Sequence, residues 1–150
     1  MRGLGPLILR LAVGVVFFAH GLPKLVPVWG HSPRQAAMLL ELAGVASAYP
    51  LSVGLGIVEL LAGLLLIAGA FTVWVTLLLG TTTAVMAWVL HVSNGFYLNW
   101  PLEPSVGHGY EFDLLLVSGL ACLMLTGPGL LSYDARRAKE RAWTSPTKSS

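Results

Sequence analysis

Four stretches of this chain, at about 6–26, 53–70, 71–92 and 110–131, are apolar over lengths that approach or exceed the roughly 18–20 residues needed to cross a hydrocarbon core. No other feature constrains the fold as strongly. In lipid a spanning segment satisfies its backbone only as a helix or within a closed barrel, and these blocks are too long for barrel strands. Composition agrees, since 55% of the 150 residues are hydrophobic and 11% are charged, far too apolar for a soluble globule of this size. The expected fold is all-α, a four-transmembrane-helix bundle over residues 1–134, followed by a basic, disordered tail over 135–150.

The first block follows Arg2 and contains Arg10, as a signal peptide would. Gly21-Leu22-Pro23-Lys24 stands where a small-residue cleavage site would fall, so the block is read as a retained helix. In the first outer connection Ser32 can cap a helix and Pro33 suits its first position, which predicts a short interfacial helix reaching Leu42. Gly54, Gly56 and Gly63 of the second block allow a neighbouring helix to approach closely, and a tight turn near Gly69 leads into the third. Residues 93–109 read as a loop, and Gly127-Pro128-Gly129 ends the fourth block. Cys122 is the single cysteine, which excludes an intrachain disulfide, a CxxC dithiol and a four-cysteine metal site.

The net charge of +2 is small, and its basic residues gather at Arg136, Arg137, Lys139 and Arg141. With Arg2 they read as an orientation signal and not as a nucleic-acid footprint. An even number of crossings puts both termini on one side, and the positive-inside rule makes that side the cytoplasm of a bacterial cell membrane. Trp29, Tyr49, Phe96, Tyr97, Trp100 and Tyr110 then form an aromatic belt at the outer surface.

Ionisable groups inside spanning segments cost several kcal/mol unless paired or hydrated. Here topology brings His20, Lys24, Glu59, His91, His108, Glu111 and Asp113 toward the outer half of the bundle. His20 and Lys24 lie one turn apart on one face. Lys24 and Glu59 are the expected ion pair, either as a fold-specifying bridge or as part of a binding or proton-transfer site; alternatively Lys24 snorkels to the headgroups. His20, Glu59 and His91 are the candidate catalytic groups, and Lys24, Glu111 and Arg10 the candidate substrate-binding groups. No HxxxH, HExxH or Glu-x-x-His spacing occurs on one helix, so no metal site is expected. Carboxylates at Glu111 and Asp113 complement the dipole of the fourth helix, and for Asp113 that structural role is preferred. At the opposite end Arg10 and Asp134 are expected to latch the first helix to the last, with an anionic headgroup or cofactor as the alternative partner for Arg10.

Arg10, Gly14, Phe17, His20-Gly21 and Lys24, then Glu59, Gly63 and Gly69, then Gly127-Pro128-Gly129 with Ser132 and Asp134, make the chain resemble the DoxX/DoxD family of small four-helix membrane proteins. The resemblance implies an association with membrane redox metabolism, quinone- and sulfur-linked or oxidative-stress-linked, and points to Arg10, His20, Lys24, Glu59 and Asp134. The chain departs from the pattern in a longer first connection and in Pro23, which can kink the first helix.

Three functions compete at this level. The first is a subunit of a redox complex that binds a quinone or a small oxyanion at the outer polar cluster. The second is a non-catalytic scaffold that recruits soluble redox proteins to the lipid bilayer. The third is a small transporter, for which four helices are too few unless the chain forms a homo-oligomer. Quinone is the cofactor left open, because no flavin, haem or metal motif is present.

Overall fold

The computed structural model describes residues 3–103 and 106–144. Arg2, which entered the orientation argument, and the closing Ser/Thr/Lys stretch lie outside the described residues. The described residues form six α-helices and no strand: α1 (Leu4–Gly21), α2 (Pro33–Leu42), α3 (Ala48–Ala68), α4 (Thr72–Leu90), α5 (Glu111–Thr126) and α6 (Tyr133–Thr144). α1 packs mainly on α3 and more lightly on α5, while α4 packs on α5 and α2 on α3. The four long apolar helices are thus one bundle.

The ends of the helices follow from backbone chemistry. α1 was expected to run to about 26, but it stops at Gly21 and continues as a 3-10 turn over Leu22–Lys24. Pro23 has no N–H for the helical ladder and its ring obstructs the preceding turn. In α2, Ser32 is extended and its hydroxyl accepts the Gln35 N–H at 3.4 Å, so the interfacial helix forms with the expected cap. α3 starts at Ala48, five residues before the expected 53. Pro50 does not prevent this, because it sits in the first turn, where an N–H would have no helical acceptor. Gly69, at φ +67, and Phe71, at φ +52, make the left-handed turn into α4.

α5 was expected over 110–131. It ends at Thr126, where Gly127 adopts φ +81, and its 16 residues span about 24 Å. The helices of α3 and α4, and α1 with its following turn, are each long and apolar enough to cross a membrane. The tail expected to be disordered over 135–150 is corrected in its first part: Tyr133–Thr144 is helical.

Val13, Phe17, Ala62, Leu66, Val75, Leu79 and Leu120 form the core. Around it the surface is apolar too, with Ile8, Trp74, Trp88, Leu115 and Leu125 all largely exposed. Helices that are apolar on both the inward and the outward face are built for a lipid surround.

Two glycines on α1 and two on α3, each pair seven residues apart, set the closest contact in the bundle. A Cβ on Gly63 would lie 2.6 Å from the Phe18 nitrogen and 2.7 Å from the Gly14 oxygen. One on Gly21 would lie 2.6 Å from the Leu60 nitrogen and 2.7 Å from the Gly56 oxygen. The two backbones therefore touch, antiparallel, along a seam that no larger residue permits. At one end the seam brings Lys24 against Gly56 and Glu59 against Gly21, so the charged pair sits directly beside the contact.

Candidate functional site

Beside that seam, α1, α2, α3, α4 and α5 enclose a cavity of about 290 Å³. Its walls are mostly apolar, from Phe17, Leu40, Leu55, Met86, Phe112 and Leu116, with His20, Lys24, Ser52, Glu59, His91 and Asp113 among them. Lys24 Nζ donates to both carboxylate oxygens of Glu59, and both side chains are largely buried. His91 Nδ1 lies 2.6 Å from Asp113 Oδ2, joining the end of α4 to the first turn of α5. His20 is held by neither carboxylate; its ring faces that of Phe112, with centroids 6.4 Å apart and planes inclined at 24°. Ser52 is buried, and its hydroxyl has no hydrogen-bond partner among the described residues.

The acidic residues of α5 exchange the roles expected of them. Glu111 is not in the cavity wall; its Oε1 accepts the Leu98 N–H at 3.1 Å and so ties down the preceding loop. The reason is positional: Glu111 opens the helix beside the segment where the Tyr110 N–H meets Gly95 and the Glu111 N–H meets Phe96. Asp113, two residues on, points into the bundle and takes His91. His108 is also withdrawn, since its Nδ1 accepts the Asn99 N–H at 3.2 Å. Asn99 in turn donates to Glu103 and Val106 carbonyls, which folds the loop upon itself. Among the described residues no group of three His, Cys, Asp or Glu side chains is arranged to hold a metal ion.

Ser52 was absent from the expected site because the connection was drawn as far as residue 52. Once α3 starts at Ala48, Ser52, Leu55 and Glu59 follow i, i+3, i+7 and share the cavity face. The belt aromatics partly assemble at this end of the bundle, where Phe96 meets Tyr97 and Tyr110 edge-on.

At the opposite end the expected Arg10–Asp134 ion pair is not formed. Asp134 instead caps α4, accepting the Phe71 N–H at 2.9 Å and the Thr72 N–H at 2.8 Å. A carboxylate on the first N–H groups of a helix satisfies orphan donors and meets the positive end of the dipole, so Asp134 is held there although the guanidinium lies close by, beside Gly69. Arg10 is 1% exposed; its Nη2 donates to the Leu131 oxygen at 3.3 Å, while Nε and Nη1 meet no acceptor among the described residues. Gly69 is obligatory beside it, since a Cβ there would fall on the guanidinium. Asp134→Ala is expected to lower stability by about 1 kcal/mol, the usual cost of a lost N-cap. Thermal unfolding in detergent measures this, and an unchanged midpoint would remove the capping role.

The sequence matches the model of the DoxX family over residues 5–92. It is also similar to the uncharacterized membrane protein Rv3486 of Mycobacterium tuberculosis, with 28% identity over 134 residues, covering 87% of this chain and 80% of the relative. No solved structure matches the chain.

Proposed function

From the premise that the chain belongs to the DoxX family of membrane proteins, we propose that it is a membrane-integral subunit of a redox complex and binds a neutral, quinone-type ring in the cavity beside Lys24 and Glu59. One observation carries this choice of ligand. Of the three cation-capable groups in the cavity wall, two are already matched, Lys24 by Glu59 and His91 by Asp113, and His20 alone has no carboxylate partner. A thiosulfate-like oxyanion drawn to Lys24 or His91 would have to displace a carboxylate from its partner and lose hydration as well, an unfavourable exchange in a low-dielectric site that leaves it only His20 and Ser52. A neutral ring meets no such penalty. The faces of His20 and Phe112 offer it flat walls, and the Ser52 hydroxyl offers a hydrogen bond to a ring oxygen.

In this reading the protein holds the ring, and His20 and the carboxylates of Glu59 and Asp113 exchange protons with it. Electrons come from a soluble partner that carries the redox centre. The bundle crosses the bilayer four times, with the basic α6 and the start of α1 toward the cytoplasm, as the positive-inside rule favours.

The test is equilibrium binding of a short-chain benzoquinone to the full chain in lipid nanodiscs, corrected for partitioning into empty discs. Saturable binding is expected, and Ser52→Phe, which fills the cavity, should weaken it by about tenfold or more, equivalent to roughly 1.4 kcal/mol. Thiosulfate should not compete. Binding of thiosulfate without binding of the quinone would overturn the proposal.

A further inference from the structure

α6 was expected to be a featureless tail, yet it is a regular helix whose faces differ. Ala135, Ala138 and Ala142 follow i, i+3, i+7 and form a smooth strip; Arg136, Lys139 and Trp143 follow the same spacing beside it. Glu140 is about 160° around the helix from Ala142. Arg136, Lys139 and Trp143 are all exposed, the indole at 91%. Among the described residues, none of the principal helix packings of the bundle involves α6.

The start of α6 is fixed in depth. The Asp134 carboxylate holds the first turn of α4, the Asp134 N–H donates to the Gly69 oxygen at 3.0 Å, and the Ser132 hydroxyl accepts the Ala135 N–H at 3.1 Å. Around this anchor Phe71, Leu130, Leu131 and Tyr133 are exposed. Large apolar side chains at the end of a membrane bundle belong at the boundary between acyl chains and headgroups, where Tyr and Trp are enriched. α6 therefore leaves the bundle at headgroup level, with Lys, Arg and an indole directed outward.

We propose that α6 is a lipid-contact helix that lies on an anionic membrane surface, with Arg136 and Lys139 over lipid phosphates and Trp143 among the headgroups. The occupant is set by charge and position: basic side chains next to a bilayer are drawn to acidic lipids, and a small alanine strip allows the helix to lie close. The proposal is independent of any ligand in the cavity.

The experiment uses the full chain with Cys122→Ser and an environment-sensitive fluorophore at Trp143→Cys, in nanodiscs of phosphatidylcholine alone or with phosphatidylglycerol. The neutral quencher acrylamide reports exposure, because an ionic one would itself be repelled. In anionic discs the fluorophore should blue-shift and become shielded, and both effects should disappear in 1 M salt, where surface electrostatics are screened. The ratio of surface-bound to free helix should fall at least about fivefold for each basic side chain lost at Arg136 and Lys139. Arg136→Glu/Lys139→Glu should abolish the lipid dependence while the thermal midpoint of the bundle holds, since both residues are exposed. Equal quenching in the two lipids would overturn the proposal. So would shielding that persists in neutral discs and after charge reversal, which would identify a protein surface as the cover.

Discussion

Gly63→Leu is expected to stop α1 and α3 from closing. A Cβ at Gly63 would already lie 2.6 Å from the Phe18 nitrogen, so a longer side chain must push two backbones apart. The cost should reach or pass the upper end of ordinary overpacking, about 3 kcal/mol, because backbone atoms cannot rotate aside as side chains do. Gly54 supplies the control on the same helix: a Cβ there meets nothing within 4 Å. Gly54→Ala should be neutral or slightly stabilising, as removing an exposed helical glycine generally is. Unfolding titrations of the three proteins in mixed detergent decide the matter, and similar midpoints for the position 54 and position 63 variants would dismiss the seam as an organising contact.

The second large effect concerns Lys24 and Glu59, where the fold and the site share the same atoms. Glu59→Met leaves an ammonium in a largely buried place, and Lys24→Met leaves a carboxylate there. Each should cost about 3 kcal/mol or more, the penalty for breaking one side of a buried pair. The double variant Lys24→Met/Glu59→Met removes both charges and should recover most of that stability, since apolar replacements of whole buried pairs are often neutral. Quinone binding should not recover with it. A double variant that is stable and still binds quinone would leave the pair a purely structural bridge, and one as unstable as the single variants would mean that the surroundings require the charges themselves.

The general plan was legible because it rests on length and spacing. Apolar blocks too long for strands dictate helices, and alternating direction then puts Lys24 near the depth of Glu59 without knowledge of a single contact. Finer assignments failed where two groups of similar chemistry compete for one partner. Glu111 and Asp113 both suit the first turn of α5; which one faces inward depends on the rotation of that turn, set by backbone hydrogen bonds at residues 95–97 that periodicity does not reveal. Arg10 and Asp134 are opposite charges at one level, but the Phe71 and Thr72 N–H groups donate to the carboxylate, while the guanidinium turns to the Leu131 carbonyl. The helical start of the tail was missed for a different reason: charge density was read as disorder, whereas Ala, Arg, Lys and Glu are all strong helix formers.

The shortness of α5 has a consequence for the membrane itself. At about 24 Å it falls several ångströms below the thickness of a typical hydrocarbon core, and glycine at 127 leaves no means of extending it. α3 and α4, at 21 and 19 residues, carry no such deficit. A helix shorter than the core it crosses is matched by local thinning of the bilayer, by flanking side chains that reach to the headgroups or by association with another helix. The two flanks of the bundle thus present apolar faces of unequal height to their surroundings, the lower one along α5 and the taller one along α3.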